Sequence, residues 1–341
     1  MRAAVLIFAI LLPVVTSAQN GASVTTAPPA VGAEQAPSQG AANPPARPRR
    51  RGTMVGYIAD GTIEDYLRVR FDAGYDNNVP DRAEFFYAQC GCNNATAPGP
   101  GAPGAGDLVT SLNFQQLFVD VQYAPHERVA VFGSVPLRFL QPQTFLGQTL
   151  PQPLANTFDG GSGFSDIRAG VKASIFSNDN SLLTAQFQFF LPSGDAKKGL
   201  GTDHTSFESA LLFHHAVSER FTIESQFGDW HPIGGSTLSD GTDYAGDVLF
   251  YGVGPSFELF NNGRLRFTPV IELVGWHVLG GLEQPGAAIP PSAEGTNIVN
   301  LKFGARTTFD EGSSLYVGYG HSLTDDRWYN NIIRFEYRYA F

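Results

Sequence analysis

What most restricts the fold of this chain is an alternation that recurs in one stretch after another: apolar residues at every second position, with charged or polar ones between them. In 329–341, Ile333, Phe335, Tyr337, Tyr339 and Phe341 share one parity, and Arg334, Glu336, Arg338 and Ala340 share the other. A period of two is that of a β-strand, whose successive side chains point to opposite faces. The same division appears in Leu67, Val69, Phe71, Ala73 and Tyr75 against Arg68, Arg70 and Asp72. It returns in Ile167, Ala169, Val171, Ala173 and Ile175 against Asp166, Arg168 and Lys172, and in Val299, Leu301, Phe303 and Ala305 against Asn300, Lys302 and Arg306. Twelve stretches read this way: 66–75, 112–123, 129–139, 166–176, 182–191, 205–216, 221–230, 247–259, 264–277, 298–309, 314–323 and 329–341. Most are near the roughly ten residues that a tilted membrane strand needs.

The connections sort by length. Pro125–Arg128, Asn178–Asn180, Ser218–Arg220, Asn261–Gly263 and Asp310–Ser313 are tight and rich in turn residues, and all fall at one end. The connections 76–111, 140–165, 192–204, 231–246, 278–297 and 324–328 are mostly long and rich in Gly, Pro and Asp. Short turns at one end and long loops at the other describe a transmembrane barrel; a soluble Greek-key sandwich has no reason to sort its loops this way. The expected fold is therefore all-β, a twelve-stranded antiparallel transmembrane β-barrel with short periplasmic turns and long outer loops. An Arg or Lys at the bilayer midplane costs roughly 2–4 kcal/mol, so the charged parity must face the lumen. Beyond Arg68, Arg70, Asp72, Asp166, Arg168, Lys172, Lys302, Arg306, Arg334, Glu336 and Arg338, that parity brings in Asp120, Arg138, Glu208, Glu224, Arg266 and Glu272.

Composition fits: 38 Gly, 27 Phe and 12 Tyr beside only two Met suit strands and turns. Met1-Arg2, the apolar run Ala3–Val15 and the small residues to Ala18 have the form of a secretory signal, 1–18. No later stretch offers the ~20 apolar residues of a spanning helix. Residues 19–52, Ala- and Pro-rich and ending in Arg47-Pro-Arg-Arg-Arg51, are expected to be a disordered periplasmic linker; 53–65 read as a lead-in or a small plug, and 66–341 as the barrel. A net charge of −10 argues against a nucleic-acid partner. Cys90 and Cys92, the only cysteines, cannot close a four-coordinate zinc site; a small local disulfide suits an oxidising compartment, and a redox pair is the alternative.

On the charged parity ten basic residues face seven acidic ones, which suits either a mildly anion-tolerant pore or an internal network of ion pairs that leaves little pore. Trp230, Trp276 and Trp328 sit at loop-side strand ends, where interfacial girdles place aromatics. Trp230 and Trp276 nevertheless share parity with lumen residues, so they are also candidates for a substrate site at the lumen mouth. His204 and Ser206 have the spacing of a barrel hydrolase pair, but they fall on the lumen parity with no third residue to orient the histidine. His214 and His215 point to opposite faces, and Gly199-Leu-Gly201 precedes no helix, so neither a metal pair nor a phosphate loop is expected. Asp240, Asp243 and Asp247 read as a solvated acidic loop. No catalytic residue, metal or cofactor is called.

A terminal Phe341 preceded by alternating aromatics resembles the closing strand of bacterial outer-membrane barrels, an ending read by the insertion machinery. Phe164-Ser-Asp-Ile-Arg-Ala-Gly-Val-Lys172, Leu191-Pro-Ser-Gly-Asp195 and Gly199-Leu-Gly-Thr202 resemble the outer-membrane channel proteins grouped with the phenol-degradation (MetA-pathway) transporter family. Ser193 stands where that pattern has Thr, and Asp203-His204 where it has Gly. The resemblance is strongest over 160–275 and implies a barrel that passes small, often aromatic or hydrophobic, molecules; it carries no binding residues over. The resulting expectation is a passive outer-membrane channel or facilitator for a small-molecule solute, in contact with outer-membrane lipid. The alternative is a structural or surface-binding barrel with a closed lumen.

Overall fold

The computed structural model describes residues 52–79, 109–145, 160–202, 204–234, 244–283, 292–309 and 312–341. The expected signal, the linker and the Cys90–Cys92 pair lie outside them. Twelve strands build a single closed sheet: β1 Tyr66–Asn77, β2 Val109–His126, β3 Val129–Phe145, β4 Ile167–Ser177, β5 Ser181–Leu191 and β6 Thr205–Ala216, then β7 Phe221–Ile233, β8 Val248–Phe257, β9 Leu265–Val278, β10 Asn297–Phe309, β11 Ser313–Ser322 and β12 Asn331–Ala340. Each pairs antiparallel with the next, and β12 returns to β1 from Tyr66↔Ala340 to Tyr75↔Asn331. Closure leaves no unpaired edge, as a wall in hydrocarbon requires. Among the described residues no helix is long and apolar enough to cross a membrane.

The register turns the sequence alternation into rows around the barrel. Val69 lies opposite Val119 on one side and Tyr337 on the other, and Phe71 lies opposite Leu117 and Phe335. Val69, Val119 and Phe335 are exposed on the outer wall, as are Phe187, Phe227, Ile271, Phe303 and Val317 from other strands. The intervening row places Arg68 opposite Asp120, Asp72 opposite Arg334 and Glu272 opposite Lys302, with Asp120, Asp72, Arg334, Glu272 and Lys302 all buried. The wall is thus apolar outside and charged inside.

The structure differs from the sequence expectation in three respects. β2 and β3 run 18 and 17 residues, beyond the 112–123 and 129–139 read from the alternation. Their loop-side extensions carry register shifts at Val109, Ser111 and Leu112, and irregular pairing breaks the parity that the sequence reading depends on. Gly161–Phe164 adds a short strand on β3 across Leu137–Leu140. Tyr329, expected inside the last strand, precedes it and is buried at 4 % exposure, packed in the apolar cluster that includes Phe114 (6.4 Å between ring centres).

Residues 53–65 run inside the barrel. Side chains from seven strands hold this backbone: Gln122 of β2, Lys172 of β4, Thr184 of β5, Glu224 and Gln226 of β7, Glu272 of β9, Arg306 of β10 and Arg334 of β12. Gly56 packs where only glycine fits, since a Cβ there would lie 2.2 Å from the Tyr316 ring. The segment then leaves at the short-turn end, where Ala124 N–H donates to Asp65 Oδ1 (2.6 Å) and Phe341 N–H donates to the Asp65 carbonyl (3.1 Å).

Candidate functional site: a charged and aromatic cavity in the lumen

The inner segment has no sheet partner, so its backbone groups must be satisfied by side chains. Glu272 meets more of them than any other side chain. Its Oε1 accepts from Gly56 N–H (3.0 Å) and Tyr316 O–H (2.9 Å), and its Oε2 from Tyr57 and Ile58 N–H (2.9 and 2.8 Å). Glu224 Oε2 accepts from Met54 and Val55 N–H (2.9 and 3.1 Å), while Oε1 faces His214 Nδ1 at 3.3 Å. Gln226 accepts from Ala59 N–H at 2.7 Å. Three carbonyls are met by cations, as Arg306 donates to Val55 O (2.7 Å), Lys172 to Asp60 O (2.5 Å) and Arg334 to Gly56 O, and others by the neutral Gln122 and Thr184. Arg338 grips Asp60 (2.8 Å), Glu64 (2.5 Å) and Thr62 Oγ1 (3.0 Å).

Gly56–Asp60 form one wall of a cavity of about 310 Å³ enclosed by the barrel. Arg68, Arg70, Arg168, Lys172, Lys302 and Arg334 line it, against Asp60, Asp72, Asp120 and Glu208. Aromatic rings form much of the remaining wall, among them Phe118, Phe190, Phe250, Trp230, Trp276 and Trp328. Some of them lie flat over inward glycines: a Cβ at Gly228 would meet the Phe250 ring at 2.3 Å, and one at Gly170 the Phe132 ring at 2.5 Å. Rings laid along the wall leave the centre open.

The charges divide into two groups. Asp72 takes Arg334 in a two-pronged pair (2.6 Å to each oxygen), Asp120 takes Arg68 (2.9 Å), and Glu336 takes Arg306 (2.8 Å). Arg266 pairs with Glu258 at 3.1 Å. The second group has little or no carboxylate contact. Arg70 shares only a 3.7 Å approach to Asp72 and stacks on Phe118 at 4.0 Å. Arg168 has no ion pair among the described residues and stacks on Phe118 (5.2 Å) and Phe190 (4.8 Å). Lys302 Nζ sits among the rings of Tyr57 (4.0 Å), Tyr329 (5.3 Å) and Trp276 (5.6 Å).

Other candidates serve local structure. Asp166 accepts from Gly194 N–H (2.9 Å), Thr202 N–H (2.8 Å) and Thr202 O–H (2.9 Å), so it anchors the loop after β5. Arg138 donates to the Gly199 carbonyl of the same loop (3.3 Å). Glu208 accepts from Gln186 at 3.2 Å.

Trp230 is buried, and both it and Trp276 line the cavity; Trp276 packs against Trp328 at 4.7 Å and Trp230 against His204 at 6.0 Å. None of the three tryptophans stands in an outer girdle, which corrects that reading of their positions: each turns its large ring into the interior, where it is packed from several sides. His204 and Ser206 are buried beside this wall rather than facing lipid. Among the described residues no group of His, Cys, Asp and Glu could hold a metal ion. The parity count of ten cations to seven acids omitted Asp60, Glu64 and Glu258, which bind Arg338 and Arg266. Glu258 lies on the inward parity and was accessible to that count. Asp60 and Glu64 belong to no strand, so no periodicity marks them.

No family model and no curated protein matches the sequence. Solved structures do resemble the barrel. An outer membrane channel from Pseudomonas putida F1 has a TM-score of 0.49 at 12% identity over 84% of this chain and 98% of that one. The β domain of the Bordetella autotransporter BrkA has 0.47 at 13% over 82% and 100%, and the NanC porin 0.41 at 9% over 81% and 98%. Values this low say nothing about solute or role. The wall itself decides the location, because only a lipid surround suits a closed barrel with an apolar exterior and a charged interior. The protein lies in the bacterial outer membrane.

Proposed function

We propose that the protein is a passive outer-membrane channel or facilitator for a small solute, the cavity being where that solute rests. The observation that carries this is a space of about 310 Å³ inside a closed barrel, walled by aromatic rings and by cations without full carboxylate pairing. That is about the lower end of the size range of small-molecule sites, which are mostly apolar with a few placed polar groups. The resemblance of 160–275 to the phenol-degradation channel family agrees with a small aromatic or hydrophobic solute. Passage requires the inner segment to shift, and it is held by hydrogen bonds, ion pairs and packing of Val55 and Ile58, with no strand pairing. The alternative, a surface-binding barrel with a closed lumen, is favoured by that same segment if it never moves.

Planar-bilayer recording separates the two. The facilitator reading expects small, infrequent conductance from the full chain and larger, steadier conductance after deletion of Thr53–Glu64. Silence from both proteins, each shown to be an inserted heat-modifiable barrel, would establish the closed-lumen alternative.

A further inference from the structure

We infer that the cavity binds a small aromatic monocarboxylate, its carboxylate held by Arg70 and Arg168 and its ring by the aromatic wall; this rests on the cavity being a solute site. The reasoning begins with which charges are already committed. Arg68 and Arg334 are each satisfied by a carboxylate within 2.9 Å, and Lys172 donates to Asp60 O. Arg70, Arg168 and Lys302 are not so committed, and the Nε atoms of Arg70 and Arg168 are buried without a hydrogen-bond partner. Buried donors of a guanidinium call for an acceptor, and leaving them unmet is unfavourable. The only carboxylate in the cavity with no ion pair among the described residues is Glu208, which Gln186 engages and which stays beyond ion-pair distance of Arg168. Three such cations against one such acid leave room for a monoanion.

The geometry narrows the class. Arg70 and Arg168 both stack on the Phe118 ring, at 4.0 and 5.2 Å, so two planar forks flank one point of the wall. Forks of this kind match the two oxygens of a carboxylate. Phe190, under Arg168 at 4.8 Å, and Trp230 supply faces for a planar ring in the same cavity. A single ring bearing one carboxylate suits the volume.

The test is a titration of the full-length protein in detergent micelles with benzoate, followed by quenching of its tryptophans, since Trp230, Trp276 and Trp328 line the cavity. Benzyl alcohol serves as the neutral counterpart. Benzoate should quench saturably and more tightly than benzyl alcohol, and Arg168→Gln should weaken benzoate by about tenfold, as for loss of a charge-assisted hydrogen bond, while weakening benzyl alcohol far less. Glu208→Gln, which removes the nearby acid, should tighten benzoate several-fold, a gain that misfolding cannot produce. Equal binding of the two probes, or no response of benzoate to either variant, overturns the inference. Conductance that persists without benzoate binding overturns this inference alone, whereas binding by a protein that conducts in neither form leaves this inference intact and overturns the facilitator reading.

Discussion

Glu272→Gln tests how the inner segment is held. The carboxylate receives four donors, two on each oxygen: Gly56 N–H and Tyr316 O–H on Oε1, Tyr57 and Ile58 N–H on Oε2. An amide of the same shape keeps one oxygen and turns an NH2 group to the other pair of partners; its better orientation faces that NH2 to Gly56 N–H and Tyr316, whose hydroxyl can turn and accept. The Gly56 bond is then lost at roughly 1.5–3 kcal/mol, and the Tyr57 and Ile58 bonds each weaken by roughly 1 kcal/mol because their acceptor is no longer charged; water recovers part of this once the segment loosens. A net weakening of about 3 kcal/mol remains, which is roughly a hundredfold in the equilibrium between seated and unseated segment. Hydrogen exchange read by mass spectrometry is the assay. The amides of 54–59 should exchange roughly a hundredfold faster in the variant while those of β11 and β12 are unchanged, because these amides have no strand partner to protect them. Equal rates at 54–59 would show that the segment does not depend on Glu272, and that its seating comes from Arg334, Arg338 and packing instead.

Gly56→Ala places a Cβ against Tyr316, whose ring is also crowded by Gly304 and Gly318, so the same amides should exchange faster with Glu272 intact; unchanged exchange would mean that the ring can move. Asp72→Asn leaves Arg334 buried without its two-pronged partner and should destabilise the barrel by about 3–5 kcal/mol, read as a lower heat-modification temperature. Deleting Phe341 should reduce insertion yield sharply while barely changing the melting of the barrels that do insert, since the ring is 68% exposed; a large fall in melting with normal yield would contradict this. Tags in the 278–297 loop should be labelled on intact cells and tags in the 261–263 turn should not, and reversed labelling would invert the orientation.

The barrel wall was legible because its two faces obey opposite rules, and the period of two holds wherever pairing is regular. Val69 and Arg70 could be assigned to opposite sides from sequence alone, as could Phe303 and Lys302. Legibility ended where pairing became irregular, as in the loop-side extensions of β2 and β3. Within the site, parity assigned Arg70, Arg168 and Trp230 to the interior but could not say which cations were already paired: Glu336 lies opposite Arg70 in the register yet bonds to Arg306 at 2.8 Å. The inner segment was the least legible part. Met54, Val55 and Ile58 are as buried as core residues, yet nothing in Thr53–Asp65 repeats, because its contacts come from side chains spread over the whole ring. Gln122, Gln186, Gln188 and Gln226 show the same limit, being inward, polar and uncharged; alternation places them without indicating which of them holds a backbone.

The seat of the segment and the cavity share residues, and this links them thermodynamically. Lys302 stacks on Tyr57 at 4.0 Å and lies directly opposite Glu272 in the β9–β10 register, yet the two form no ion pair, because three segment amides and Tyr316 occupy the carboxylate. With the segment seated, the positive charge of Lys302 is open to the cavity. With it withdrawn, Glu272 loses those three amide donors and Lys302 its Tyr57 face, and the two facing charges are free to pair, which lowers the positive field of the cavity. An anion in the cavity therefore favours the seated segment, and by reciprocity withdrawal of the segment weakens the anion's hold. Saturating benzoate should accordingly slow exchange of the Gly56, Tyr57 and Ile58 amides in the natural chain. In Glu272→Gln there is no carboxylate left to pair with Lys302, so the same benzoate should slow exchange markedly less. If benzoate binds but leaves exchange at 56–58 unchanged in the natural chain, the cavity and the segment act independently, and release of the solute must be controlled by some other part of the barrel.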